Sequence, residues 1–288
     1  MNAEAPVKDP PPKDPPLEGA NPYEMRLDQS KHVPEHDVHA ALRSGDVGYM
    51  HSFTTGSAVD GPGIRLVAWT TACMFRCRFC HNPDTWTLSN GMPVTLARAS
   101  DELRKYANGL KVMHGGFTLS GGEPLMQHRF AARLMAAAKA MGVHTALETN
   151  GLYGERLSDD ELATIDLVIL DMKAFSPEQH ARVTGVDRNA GVLAFARRLA
   201  ALRRPMWLRY VLVPGLTDVD DEMVQLAAFA ASLGVLERAE VLPFHQMGRY
   251  KWERLGLDYT LGATLPPTAA EIDHAVGIFR AAGLETYA

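Results

Sequence analysis

The sequence predicts an α/β fold built on a parallel sheet, and three observations carry that reading. From Gly48 onward, short apolar runs alternate with amphipathic segments, the order expected of repeated strand–helix units. Some runs, such as Leu-Val-Ile-Leu at 167–170, are apolar at every position, as strands covered on both faces are. The polar residues that break the pattern fall at or just past the ends of the runs, where parallel α/β folds gather their active sites. Six repeats point to a partial or full barrel, with a doubly wound sheet as the competing arrangement.

The elements follow in order. The first predicted strand, Ile64–Thr70, leads into Cys73–Cys80, and the second, Gly116–Ser120, ends in Ser120-Gly-Gly-Glu-Pro124. The third, Val143–Leu147, leads to Glu148-Thr-Asn-Gly151, and the fourth, Leu167–Leu170, to Asp171-Met-Lys173. Met206–Val213 is the fifth, and Ala239–Leu242, followed by His245, the sixth. Apolar residues at helical spacing predict helices over Leu96–Tyr106, Arg129–Met141, Val192–Leu202, Glu222–Leu233 and Ala269–Ala282. On this reading, residues up to 172 positions apart converge on one face of the sheet.

Composition narrows the class. Of 288 residues, 46% are hydrophobic and 22% charged, the balance of a soluble globular chain. No apolar run approaches the roughly 20 residues of a membrane helix, and the N-terminus lacks a signal-type apolar stretch. A net charge of −5 makes nucleic acid an unfavourable partner. Residues 1–46 hold nine acids, five bases and eight of the eighteen prolines, including Lys-Asp-Pro-Pro at Lys8–Pro11 and again at Lys13–Pro16. Such a stretch buries too little to offset its ordering entropy, so it reads as a disordered tail ahead of one domain over 47–288.

All three cysteines lie within eight residues, as Cys73, Cys77 and Cys80. None remains for a disulfide or a fourth metal ligand, and a reducing cytoplasm suits them. Iron–sulfur clusters are normally held by four thiolates; three suit a 4Fe-4S cluster with one iron left open. The rival is structural zinc on the three cysteines and His81, although adjacent residues such as Cys80 and His81 hardly reach one tetrahedral ion together. Gly121 and Gly122 permit a close backbone approach to a ligand, and Glu123 offers an acceptor to a ligand ammonium. Asp171 and Lys173 read either as a surface pair or as lining a cleft. His245 reads as a core histidine or a site residue, and Arg249, Lys251 and Trp252 as a solvated turn or a peptide-binding surface.

Together these residues resemble the radical S-adenosylmethionine superfamily, whose hallmark is three cysteines spaced Cys-x3-Cys-x2-Cys. Asp60-Gly-Pro-Gly-Ile-Arg65 and Cys80-His-Asn-Pro-Asp-Thr-Trp86 are similar to the activating enzymes of glycyl radical enzymes, of the pyruvate formate-lyase type. So are Leu170-Asp-Met-Lys173, Arg209-Tyr-Val-Leu-Val-Pro-Gly215 and Leu242-Pro-Phe-His245 followed by Gly248 and Lys251-Trp252. Activators of other glycyl radical enzymes often carry extra cysteine clusters, and this chain has none. The alternatives are an activator of a different glycyl radical enzyme, or a zinc or iron–sulfur binding module.

The resemblance implies a partial (β/α)6 barrel and a 4Fe-4S cluster on Cys73, Cys77 and Cys80 whose open iron binds S-adenosylmethionine. It implies reductive cleavage to methionine and a 5′-deoxyadenosyl radical, which takes a hydrogen from a backbone glycine of pyruvate formate-lyase. Phe79, Cys80 and His81 would lie along the adenine. Gly121, Gly122 and Glu123 would meet the methionine amino end, and Asp171, Met172, Lys173 and His245 would complete the site. Glu148, where the family more often has aspartate, and Asp171 match the ligands of a monovalent cation. Asp60 and Arg209 are candidates for holding the glycine-bearing peptide. Flavodoxin or ferredoxin is the implied electron donor, and a monomer is expected.

Overall fold

The computed structural model describes residues 24–25 and 35–288. Among them, ten strands form one sheet. In chain order these are β1 (Glu24–Met25), β2 (Val47–Ser57), β3 (Arg65–Thr70), β4 (Met92–Thr95), β5 (Gly116–Gly121), β6 (His144–Thr149), β7 (Leu167–Asp171), β8 (Met206–Leu212), β9 (Leu236–Pro243) and β10 (Thr286–Tyr287). From β3 the sheet runs β3-β5-β6-β7-β8-β9-β10, every pair parallel. β2 joins β3 antiparallel and carries β1 and β4. The terminal strands β1 and β10 do not pair with each other, so the six long parallel strands form a partial barrel.

The helices are α1 (Glu35–Ser44), α2 (Leu96–Val112), α3 (His128–Ala140), α4 (Asp159–Ala163), α5 (Pro177–Thr184), α6 (Asn189–Ala201), α7 (Asp220–Ser232), α8 (Arg249–Arg254) and α9 (Ala269–Ala281). Local chemistry sets several ends. Ser158 with Glu161 and Thr268 with Glu271 form reciprocal capping boxes at α4 and α9, while α5 stops at Gly185 in a left-handed turn. No helix among the described residues is long and apolar enough to cross a membrane.

Side chains alternate across each strand, and this alternation builds the site. Phe117, Leu119, Leu147, Val168, Leu170, Leu208 and Tyr210 join the large core beneath the helices. Ala146, Leu167, Ile169 and Trp207 form a separate buried cluster on the opposite, inner face. Continuing by twos from these inner positions reaches Glu148 on β6, Asp171 on β7 and Arg209 on β8, all at the cavity described below.

Helix α1 falls within the stretch 1–46 expected as a tail. Arg133 on α3 donates to the Ser44 carbonyl at 3.0 Å and pairs with Asp46 at 2.6 Å, and the Leu96 N–H donates to the Asp46 carbonyl at 2.8 Å. α1 and the turn after it are thus tied into the fold. The remainder of the expected tail, residues 1–23 and 26–34, lies outside the described residues.

Candidate active site

The cysteine loop leaves β3 through Ala72, whose φ is +72°. Its backbone is pinned on two sides. The Cys73 N–H donates to the Trp86 carbonyl at 3.0 Å, and those of Arg76 and Arg78 donate to Thr184 and Val183 of α5 at 2.8 and 3.1 Å. The Arg76 guanidinium folds back onto the Cys73 carbonyl at 2.7 Å, and the Cys80 N–H closes on Cys77 at 3.0 Å. All three cysteines are free thiols and line one cavity of about 460 Å³. Burial pushes each thiol up, Cys77 to about 12, and the neighbouring cysteines add to the rise at Cys73. Without a bound group the thiols stay protonated, and a group that takes thiolates has to offset the cost of ionising them there.

Across from the thiols lies a buried charge network. Arg209, its side chain 5% exposed, pairs with Glu148 at 2.5 Å, Glu240 at 2.7 Å and Asp60 at 3.6 Å, and also donates to the Val59 carbonyl. Ser120 donates to the other Glu148 oxygen at 2.5 Å. Burial alone would raise the Glu148 pKa, but Arg209 and Ser120 outweigh it and the value is lowered. Burial, then the Glu148 charge, raises Asp60; burial raises Asp171, which Lys173 pairs at 3.0 Å. On the third wall, the His81 and His245 rings stack with centroids 4.1 Å apart. Burial, helped by His245, depresses His81 to about 4, so its ring is neutral near pH 7.

Of the residues singled out from sequence, Asp60, Cys73, Cys77, Phe79, Cys80, His81, Gly121, Gly122, Glu148, Asp171, Lys173, Arg209 and His245 line this single cavity. Glu123 and Met172 are not among the residues that line it. Glu123 is fully buried and accepts from the Leu125 N–H at 2.9 Å, the Thr149 hydroxyl at 2.7 Å and the Asn150 N–H at 2.8 Å. It ties β5 to β6 from behind the wall. Met172 packs in the core. The two glycines also serve a further purpose: a Cβ on Gly121 would lie 2.2 Å from the Thr70 backbone, and one on Gly122 2.5 Å from the Ala72 carbonyl. They let the β5 end close onto the cysteine loop. Trp69, Ser120 and Asn150 also line the cavity. Trp69 and Ser120 follow the same two-residue alternation, which offered a signal for them, whereas Glu240 sits within β9 and offered none.

Comparison with known proteins agrees with this geometry. The family model for the radical SAM superfamily matches residues 67–227. A pyruvate formate-lyase-activating enzyme of Staphylococcus epidermidis is 39% identical over 227 residues, 76% of this chain and 90% of that protein. A pyruvate formate-lyase 1-activating enzyme of Escherichia coli strain K12 is 38% identical over 239 residues, 82% of this chain and 97% of its own length. In fold, a radical SAM methyltransferase from Sphaerobacter thermophilus superposes with a TM-score of 0.55 at 17% identity, covering 83% of this chain and 72% of that one. The chain therefore belongs to the radical SAM superfamily and, within it, to the pyruvate formate-lyase-activating enzymes.

Membership implies a 4Fe-4S cluster and S-adenosylmethionine. The residues fit both: three free thiols and the half-buried glycine backbone of the β5 end line one cavity, which is large enough for more than a single ion. Among the described residues, no three His, Cys, Asp or Glu side chains gather as they would around one metal ion. His81, the fourth residue of the zinc alternative, is engaged with the His245 carbonyl at 3.1 Å.

Proposed function

We propose that this chain, a cytoplasmic monomer, activates pyruvate formate-lyase by installing a glycyl radical on it. Cys73, Cys77 and Cys80 hold the cluster. The carrying observation is that three unpaired thiols and the strand-end charge network face one cavity. The chain around that cavity is 38% identical to an activating enzyme over 97% of the latter's length. When bound, the cluster and S-adenosylmethionine supply the hard chemistry: one-electron cleavage of a sulfonium and a carbon radical able to take a glycine hydrogen.

The chain's own residues bind, orient and exclude water. The Gly121–Gly122 backbone would meet the methionine end, Phe79, Cys80 and His81 would lie along the adenine, and His245 would help to complete the site. Lys173 keeps Asp171 ionised and the wall rigid. Arg209 is already committed to Glu148, Glu240 and Val59, so it acts as a fixed strut. Asp60, at 3.6 Å the loosest of its partners, is the acceptor that receives the incoming peptide. Placement of the target glycine is the selectivity device, because a carbon radical attacks most C–H bonds within reach.

The proposal extends to a monovalent cation on Glu148 and Asp171. In this network the carboxylates Asp60, Glu148, Asp171 and Glu240 outnumber the cations Lys173, Arg209 and Arg238, which supports a bound positive charge. An acidic donor, flavodoxin or ferredoxin, is supported by Arg76 and Arg78 on either side of Cys77. The test is anaerobic. After reconstitution and reduction, electron paramagnetic resonance should show a cluster signal that changes with S-adenosylmethionine. 5′-Deoxyadenosine should form, and a glycyl radical should appear on added pyruvate formate-lyase. A colourless protein with no cleavage product would overturn the enzyme reading; cleavage without a glycyl radical would overturn the partner.

A further inference from the structure

The segment after β9 takes hold of the cysteine loop at several points. On α8, Trp252 is 6% exposed, and its indole N–H donates to the Cys80 carbonyl at 2.8 Å. Its ring meets Trp86 edge-on, with centroids 5.0 Å apart, and tilts against Tyr259 at 5.3 Å. The Arg76 guanidinium lies 4.9 Å from the Trp86 ring centroid. The preceding residue, Lys251, donates to the Asn82 side chain at 2.9 Å and pairs with Asp84 at 3.0 Å. Gly248 approaches so closely that a Cβ there would stand 2.7 Å from the His81 Cα.

The other two thiols are held differently. Cys73 is fixed by its N–H on the Trp86 carbonyl and by Arg76 on its own carbonyl, and Cys77 by its neighbours' bonds to α5. Cys80 bonds to Cys77 through its N–H, and its carbonyl is gripped by a residue 172 positions further along the chain. We propose that Trp252 is a positioning residue for Cys80. By anchoring the carbonyl it sets the direction of the third thiol, so the segment after β9 completes the iron site without contributing a ligand. This rests on the reading of Cys73, Cys77 and Cys80 as the cluster ligands. Partners that orient a metal ligand typically change metal affinity by about 10–100-fold when lost, and hydrogen bonding around the cysteines tunes an iron–sulfur centre.

The test compares full-length wild type, Trp252→Phe, Lys251→Met and Cys80→Ala after anaerobic reconstitution. It reads iron and sulfide per chain, the rate of iron loss to a chelator, and the paramagnetic resonance of the reduced cluster. Trp252→Phe should lose iron about ten-fold faster and show a shifted reduced-cluster spectrum, with wild-type far-ultraviolet circular dichroism. Lys251→Met, which retains the indole bond, should lose iron less than about three-fold faster. If Trp252→Phe folds poorly, replacing Trp252 by benzothienylalanine, in which sulfur stands in for the indole N–H, removes the donor alone. Wild-type chelation kinetics and spectrum in the folded donor-less variant would overturn the proposal. Full iron retention in Cys80→Ala would overturn the ligand reading beneath it, a separate outcome.

Discussion

Lys173 shows how much of this cavity depends on single buried charges. Its side chain is 12% exposed, pairs with Asp171 at 3.0 Å and has its ammonium 5.5 Å from the Phe79 ring centroid. Burial would lower its pKa, but Asp171 and then Cys77 raise it above the ordinary lysine value. Lys173→Met therefore strands a buried carboxylate, at an expected cost of about 3 kcal/mol. S-adenosylmethionine affinity by calorimetry should fall by at least about ten-fold. Adding Asp171→Asn should recover most of the stability and none of the affinity; recovered affinity would remove Lys173 from the site. Cys77→Ala should leave no assembled cluster, and full iron content in that variant would remove Cys77 from the ligand set. His81 supplies a pH test. It titrates near 4 when folded against an ordinary 6.5, so between those values the unfolded chain takes up a proton that the folded chain refuses. Its contribution to stability is fully present above pH 6.5 and falls as the pH drops toward 4. His81→Gln should flatten that acid loss by about 2 kcal/mol, measured by urea unfolding at pH 7 and pH 4.5. An unchanged slope would show that His81 is solvated.

Among the elements, the junction of β3 and β5 is the tightest. Gly121 has φ +128°, and a Cβ there would lie 2.2 Å from both Thr70 N and Thr70 O, backbone atoms that cannot swing aside. Gly121→Ala should cost at least about 2 kcal/mol and loosen the cysteine loop, read as a lower melting temperature and slower cluster assembly; a wild-type melt would contradict this packing. Six parallel strands were legible because each is an apolar run between helices, and the inward residues at their ends were legible from the two-residue period. β9 begins at Leu236 rather than Ala239, since Glu237 and Arg238 carry charges that disguise a strand. The acids of β9 have partners: Glu237 accepts from the Trp207 indole and Glu240 from Arg209. α8 read as a solvated turn or a peptide-binding surface, and not as a helix, because its partner is the loop at 80–86 and not the sheet, so no apolar stripe marks it. The three donors that hold the Glu123 carboxylate were not legible either, because the end of a strand says where the backbone is and not what lies behind it.

For the whole molecule, the question is where the folded unit begins. The turn after α1 is clamped by Arg129, which donates to the Arg43 carbonyl, and by Arg133, which reaches Ser44 and Asp46. Gly45 packs so closely that a Cβ would stand 2.7 Å from the Arg129 backbone. Asp46 in turn receives the first N–H of α2, so one turn links α1, α2 and α3. β1 adds a short antiparallel pair to β2 at Phe53 and Thr54. Removing residues 1–23 spares all of these contacts and should leave both the melting temperature and the rate of glycyl radical formation unchanged. Removing residues 1–46 takes away α1, its clamp and β1. The lost hydrogen bonds, at about 1 kcal/mol each, imply a destabilisation of about 2–3 kcal/mol and a melting temperature lower by roughly 4–10 °C. Activation should then fall only with the folded fraction, because none of the described residues of β1, α1 or the turn after it lines the cavity. If the shorter deletion alone slowed activation at an unchanged melting temperature, the proline-rich stretch would be a docking segment for the partner enzyme or the electron donor. Repeating the assay with a chemical reductant would tell those two apart, since only loss of donor docking is then bypassed.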